Sequence, residues 1–360
     1  MNFSINEKEF NEKITFENTL TIKSFNKDYQ VIYNNETLNQ IICNNYNEND
    51  FIFIDRNVYN LDTNAFINIL SNIYIFDALE ENKNMENVLI LVDILLEKKF
   101  TKKNKVIIIG GGITQEVGGF CSGIYKRGIN WIFVPTTVLS MTDSSIGSKI
   151  SINRNSKNML GMFSSPDKII ISDYFLNSLS QNDILSGVGE SLKLCLIGGE
   201  NTYKLFIENY YEKKYINLVK LASIVKKVII EYDEFEKLER KVLNYGHSVG
   251  HAIESTTKYY IPHGIAILIG MYVKNIVFFD NKYEEINNLI LSMIDTKYFQ
   301  VPFSYSSFIS HLLNDKKNDG DNICFILLND IGNTVIVYKK LNEFNNKMMN
   351  IFKILFTNFV

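Results

Sequence analysis

Cysteine is scarce in this 360-residue chain, and Cys43, Cys121, Cys195 and Cys324 are too scattered to make any Cys-x-x-Cys pair. That spacing suggests neither a disulfide framework nor a thiolate metal site, and it suits a reducing compartment. An excess of one charge is missing too. With 37 Lys+Arg against 40 Asp+Glu the net charge is -3, which offers no global attraction for nucleic acid or an anionic membrane. Any anionic ligand must be held by local groups. No apolar run is long enough to span a bilayer, the stretch from Ile265 to Met271 being bounded by His263 and Lys274. The first residues, Met-Asn-Phe-Ser-Ile-Asn-Glu-Lys-Glu, lack the basic start and apolar core of a signal peptide, so a soluble, cytoplasmic protein is expected. No repeat of fixed period stands out.

What is present is ample material for hydrophobic cores, at 46% hydrophobic and 13% aromatic residues. A chain of this length exceeds the size at which one core usually stops growing, so two domains are expected. Short β-rich runs, Phe51 to Asp55, Val106 to Ile109, Trp131 to Val134 and Lys168 to Ser172, alternate with helical spacing such as that of Asn87 to Phe100. This alternation predicts an α/β layer with a largely parallel sheet. After about residue 175 helical patterns dominate, at Leu185 to Ile197, Tyr215 to Tyr232 and Ile265 to Phe279. Two β-branched runs follow at Ile323 to Leu328 and Thr334 to Tyr338. The expected domains are therefore 1–173, nucleotide-binding in type, and 174–360, mainly α-helical.

Histidine is scarce as well, and its distribution is uneven. Three of the four histidines, His247, His251 and His263, fall within seventeen residues. Residues four apart share a helix face, so His247 and His251 point the same way, either as metal ligands or as satisfied core histidines. Glu190 and Lys193 lie three apart in Gly187-Val-Gly-Glu-Ser-Leu-Lys193. Glu190 is either a partner for Lys193 or the carboxylate that completes a three-ligand site with an open coordination position.

Two further segments invite a ligand. The run Gly110-Gly-Gly-Ile-Thr-Gln-Glu-Val-Gly-Gly119 follows the Val106 to Ile109 strand and leads into a helix, as a phosphate-cradling turn does, although such glycines also serve simple turns. Gln115 stands where the dinucleotide fingerprint has its third glycine. Beyond it, Arg127, Val134-Pro-Thr-Thr137, Asp143 to Asn153 and Lys157 to Gly161 gather hydroxyls, amides and cations in a way that suits a polyhydroxylated or phosphorylated small molecule.

Taken in order, these residues resemble the dehydroquinate synthases and the wider sugar phosphate cyclases. The match runs through Gly110-Gly-Gly112, Arg127-Gly, Pro135-Thr-Thr, Asp143-Ser-Ser-Ile-Gly-Ser-Lys149, Lys157-Asn158, Gly189-Glu190 and Lys193. It continues through Arg240-x-x-x-Asn244-x-Gly-His247-x-x-x-His251, Pro262-His263-Gly and Asp315-Lys-Lys-Asn-Asp-Gly320. The resemblance implies a Rossmann-like NAD-binding domain, a helical domain carrying one divalent metal, zinc or cobalt, an active site between them, and a homodimer. It assigns the metal to Glu190, His247 and His263, and leaves His251 for the substrate. NAD is implied at Asp55, Asn57, Glu80, Lys83, Gly111, Gly112, Glu116, Thr136 and Thr137. Arg127, Lys149, Lys157, Asn158, Asn244, His251 and one or both of Lys316 and Lys317 resemble phosphate-side groups. Lys193, Lys226 and Arg240 resemble groups that hold a carboxylate and hydroxyls, with Asp143 near the reacting carbons.

The implied reaction converts 3-deoxy-D-arabino-heptulosonate 7-phosphate, a phosphorylated sugar acid, into 3-dehydroquinate and phosphate. A sister cyclase acting on another sugar phosphate, such as sedoheptulose 7-phosphate, and a metal-dependent polyol dehydrogenase are the alternatives. The chain departs from the usual pattern in two places. Gln115-Glu116 replaces Gly-Asp, and Gly147-Ser-Lys-Ile150 replaces Gly-Gly-Lys-Thr, which predicts altered geometry at the cofactor and phosphate loops.

Overall fold

Uninterrupted apolar runs form the centre of a seven-stranded sheet. The structure, a computed structural model, describes the chain apart from Met1, Asn2, Asn6, Glu7, residues 11–13, Leu238 and Lys316, and no side chain before Ile14. Its strands are β1 (Thr19–Ile22), β2 (Tyr29–Asn34), β3 (Phe51–Asp55), β4 (Ile73–Phe76), β5 (Lys105–Gly110), β6 (Asn130–Pro135) and, after the hairpin β7 (Lys149–Arg154) and β8 (Ser156–Phe163), β9 (Lys168–Ser172). The sheet order is β1-β2-β9-β6-β5-β3-β4, parallel throughout except for the β1/β2 pair. Val106 to Ile109 in β5 are fully buried, as expected of a parallel strand covered on both faces. The first fifty residues carry no motif, yet they supply β1 and β2.

Helix α1 (Met85–Glu97) and α2 (Gly112–Ile124) belong to the same compact unit, which comprises 15–180 with 229–234. Parallel strands all end on the same side, so Asp55 at the end of β3, Gly111 and Gly112 after β5, and Thr136 and Thr137 after β6 line up along the carboxyl edge of three adjacent strands. That edge is where open α/β sheets bind ligands.

The second unit comprises 181–228 and 235–360 with the described residues before Thr15. It contains α3 (Gln181–Ile197), α4 (Glu200–Tyr211), most of α5 (Tyr215–Tyr232), α6 (His247–Thr256) and α7 (His263–Phe279), and the antiparallel hairpin β10 (Asn322–Asp330) and β11 (Asn333–Lys340). The break falls at Ser180/Gln181, where α3 begins, and not near Asp173. Residues 229–234 also group with the sheet unit, because Glu231 accepts from the Lys23 amide at 2.7 Å, and Glu234 from the Ser24 hydroxyl and the Phe25 amide, both at 2.6 Å.

Glycines decide how closely the helices of this unit pack. A Cβ on Gly264 would lie 1.7 Å from the Ser186 carbonyl oxygen, and one on Gly270 would lie 2.3 Å from that of Gly246. Helix α7 therefore touches α3 and the start of α6 backbone to backbone. Gly264 through Met271 are buried without interruption, which makes α7 the central helix of the unit.

Candidate active site

The close crossing of α3, α6 and α7 brings one carboxylate and two imidazoles together. Glu190 Oε1 lies 3.5 Å from His263 Nε2 and 3.9 Å from His247 Nε2. Ligands of one tetrahedral zinc-like ion, each about 2.1 Å from it, are separated by about 3.4 Å, so this spacing fits a shared ion. Both rings are held from behind. His247 Nδ1 faces the Tyr245 carbonyl oxygen at 3.2 Å, and His263 Nδ1 faces Glu254 Oε2 at 3.1 Å. Each acceptor requires a proton on Nδ1, which turns both Nε2 atoms toward the Glu190 side, where a neutral ring offers a lone pair.

The electrostatics of the two rings differ. Burial, then Lys193 and the neighbouring histidines, hold the His247 imidazole well below its usual range, hence neutral. Burial acts the same way on His263, but the carboxylates of Glu254 and Glu190 outweigh it and raise that imidazole to about 10. His251 stands beside His247 with ring centroids 5.1 Å apart, and the nearest ligand atoms of His247, His251 and His263 all lie within 4.8 Å of one another. With His263 neutral, the two Nε2 atoms, the Glu190 carboxylate and the held Nδ1 protons suit a divalent ion, and His251 offers a further ring nitrogen in the same cluster.

Cations gather in the same unit. Lys193 and Glu190 form a buried ion pair, and Lys226 and Arg240 are also buried. Asn244 donates to Glu236 at 2.9 Å, and Lys317 pairs with Asp315 at 2.9 Å. Lys316 lies outside the described residues. Lys274, to which no role was attached, is fully buried. Its Nζ donates to the Ile326 carbonyl at 2.6 Å and sits 4.8 Å from the centre of the Tyr245 ring. Burial first, then Lys317, depresses its ammonium far below the usual range.

The sheet unit carries the other group of predicted residues. At the carboxyl edge, the Thr136 amide donates to the Gly110 carbonyl at 3.0 Å, and Asp55 caps the following turn by accepting from the Asn57 amide at 2.8 Å. Burial raises the Asp55 carboxyl. Lys83 is buried in an ion pair with Glu116 and donates to Asn158 Oδ1 at 2.5 Å; Ser151 donates to Glu116 at 2.9 Å, and Asn153 to Glu80 at 2.8 Å. Burial raises the Glu116 carboxyl and Lys83 opposes it. Residues expected on separate ligand groups, Lys83 and Glu116 on NAD and Asn158 on phosphate, are thus tied into one network.

The polar run expected to meet the ligand is built on regular elements. Ser140–Ser144, which carries Asp143, is a π-helical turn, and Lys149, Lys157 and Asn158 lie on the β7/β8 hairpin. Arg127 ends the turn after α2 in left-handed backbone, with φ 63. Ser148, where glycine is usual, also takes left-handed backbone, with φ 59, and its hydroxyl bonds that of Ser165 at 2.8 Å.

Sequence reasoning missed the outer partners of the histidines. His247, His251 and Glu254 are spaced i, i+4, i+7 and so share one stripe of α6, a readable signal for Glu254. The Tyr245 carbonyl had no such signal.

The sequence pattern described as 3-dehydroquinate synthase N-terminal matches residues 73–186, and its C-terminal counterpart matches 187–318. The 3-dehydroquinate synthase of Pelagibacter ubique is 34% identical, covering 92% of this chain and 97% of its own length. Among solved structures, 2-deoxy-scyllo-inosose synthase complexed with carbaglucose-6-phosphate, NAD+ and Co2+ superposes with a TM-score of 0.79 at 23% identity, covering 92% of this chain and 99% of that one. ValA, the 2-epi-5-epi-valiolone synthase of Streptomyces hygroscopicus subsp. jinggangensis with NAD+ and Zn2+ bound, gives 0.72 at 19% identity, covering 90% and 96%.

Proposed function

Since the chain belongs to the 3-dehydroquinate synthase family, we propose that it converts 3-deoxy-D-arabino-heptulosonate 7-phosphate into 3-dehydroquinate and phosphate with the help of NAD and one zinc or cobalt ion. The observation that carries this reading is the meeting of Glu190, His247 and His263 from three helices, with both outer imidazole protons already held. When bound, NAD supplies a reversible hydride acceptor and the metal ion supplies a Lewis acid for the oxygen being oxidised.

The chain's own groups orient, neutralise and hold protons. Glu190, His247 and His263 hold the ion, while Glu254 and the Tyr245 carbonyl fix the ring directions. Lys193, beside Glu190, together with Lys226 and Arg240, holds the substrate carboxylate and hydroxyls. A phosphorylated sugar acid is the kind of anionic, polyhydroxylated ligand that such a group of cations suits. Arg127, Lys149, Lys157, Asn158, Asn244, His251 and Lys317 serve the phosphate, and Asp143 faces the reacting carbons. Asp55, Asn57, Glu80, Lys83, Gly111, Gly112, Glu116, Thr136 and Thr137 serve NAD, the glycine turn and the N-terminus of α2 receiving its pyrophosphate. With one carbon at the ketone level, the neighbouring C–H would be acidic enough to lose its proton to the departing phosphate, which the phosphate-side cations would neutralise as it leaves by elimination, and the ring would then open and close as a carbocycle.

The protein acts as a homodimer in the cytoplasm on this reading. All four cysteines are free, which suits a reducing compartment, and among the described residues no helix is long and apolar enough to cross a membrane. Sedimentation of the purified protein checks the dimer. Substrate choice is tested by incubating protein, NAD and metal with the heptulosonate, sedoheptulose 7-phosphate or glucose 6-phosphate and following phosphate release. Release from the heptulosonate alone is expected; release from another sugar phosphate alone would overturn the assignment.

A further inference from the structure

The least family-like residue of the glycine turn makes a two-point contact with the segment that carries Asp143. Gln115 is buried, its Nε2 donates to the Ser144 carbonyl at 2.9 Å, and its Oε1 accepts from the Ser144 hydroxyl at 2.6 Å. One side-chain amide thus satisfies the main chain and the side chain of the residue that follows Asp143. Ser144 also lies next to the glycine turn itself, since a Cβ on Gly112 would make ordinary contact with Ser144 Oγ at 3.4 Å. The segment so held is a π-helical turn, in which the Ser145 amide reaches the Ser140 carbonyl five residues back at 3.1 Å. Such turns are rare and are frequent at functional sites.

We propose that Gln115 is a positioning residue. Its amide locks the π-turn onto the glycine turn, so that Asp143 keeps a fixed direction relative to the dinucleotide held there. A glycine at this position, as in the usual pattern, offers no side chain to Ser144, so the lock belongs to chains with Gln here. The inference rests on the proposed reaction for the role of Asp143, but the lock itself is a property of the protein without cofactor.

The test compares Gln115→Met, which fills similar volume without either hydrogen bond, with Gln115→Glu, which places an acceptor against the Ser144 carbonyl, and with Ser144→Ala and Gln115→Met/Ser144→Ala. In the protein free of NAD and metal, amide hydrogen exchange across 140–146 should speed up about tenfold or more in Gln115→Met while α2 stays protected. NAD affinity, measured by calorimetry, should stay within about threefold of wild type, while kcat of the loaded enzyme falls about ten- to a hundredfold, as expected when a reacting group is misplaced. Gln115→Glu should behave no better than Gln115→Met. The double variant should be no slower than Gln115→Met alone, the signature of two residues acting as one contact.

Unchanged exchange in Gln115→Met, an undiminished kcat, or a loss of NAD binding equal to the loss of kcat would each overturn the lock. A wild-type enzyme that releases no phosphate from the heptulosonate would refute the proposed reaction instead, and the exchange measurement would still decide the lock.

Discussion

Glu254 shows how far a single residue can be read. Its spacing from His247 and His251 was visible in the chain, but its partner, His263, comes from another helix and only the fold brings the two together. A carboxylate behind a metal-binding imidazole fixes the ring and strengthens it as a donor, so Glu254→Gln should weaken metal affinity about ten- to a hundredfold in a competition assay with a chelator. Unchanged affinity would remove Glu254 from the site. The same pair sets a pH dependence. His263, raised to about 10 in the metal-free protein, is protonated at pH 8 and must give up that proton to bind a metal, whereas His247 is already neutral. Metal affinity should therefore rise with pH up to about 10, and calorimetry in buffers of different ionisation enthalpy at pH 8 should find about one proton released per ion bound. No release would contradict the assignment. The sign for stability follows too: the raised value contributes stability that is complete below about 6.5 and is lost as pH rises through about 10.

At the scale of elements, what could be read depended on whether the signal was local. The β3 and β5 runs were legible because strands buried on both faces are apolar at every position. The β7 strand lies inside the run singled out for its polar groups, yet Lys149-Ile-Ser-Ile-Asn153 alternates with period two and buries Ile150 and Ile152. The partner of the π-turn was not local either, since Gln115, which bonds Ser144, lies 29 positions away. The helix crossing was equally silent, because glycine in a sequence does not say which backbone will touch it. Its consequence is testable. Gly264→Ala would press a methyl group into the Ser186 carbonyl, backbone against backbone, so it should cost at least about 3 kcal/mol in denaturant unfolding and lower metal occupancy. A variant with wild-type stability and metal content would mean that α3 and α7 do not depend on this approach.

For the whole molecule, two units and two kinds of chemistry were legible because composition changes along the chain from β-rich to helical runs. The exact division was not, since 229–234 joins the sheet unit through the carboxylates of Glu231 and Glu234. The residues proposed for metal fall in one unit and those proposed for NAD in the other. His263→Ala should accordingly abolish metal-dependent turnover while NAD affinity stays within about threefold, because His263 belongs to a different unit from the residues proposed for NAD. Parallel loss of NAD binding would show that the two sets do not act separately. The central claim is a cyclase that takes hydride from its substrate and returns it within each turnover. Phosphate and the absorbance of reduced cofactor, followed together with the heptulosonate as substrate, test it directly. Phosphate equal to the substrate consumed with no accumulation of reduced cofactor is the predicted result, and reduced cofactor that builds up with turnover would contradict it.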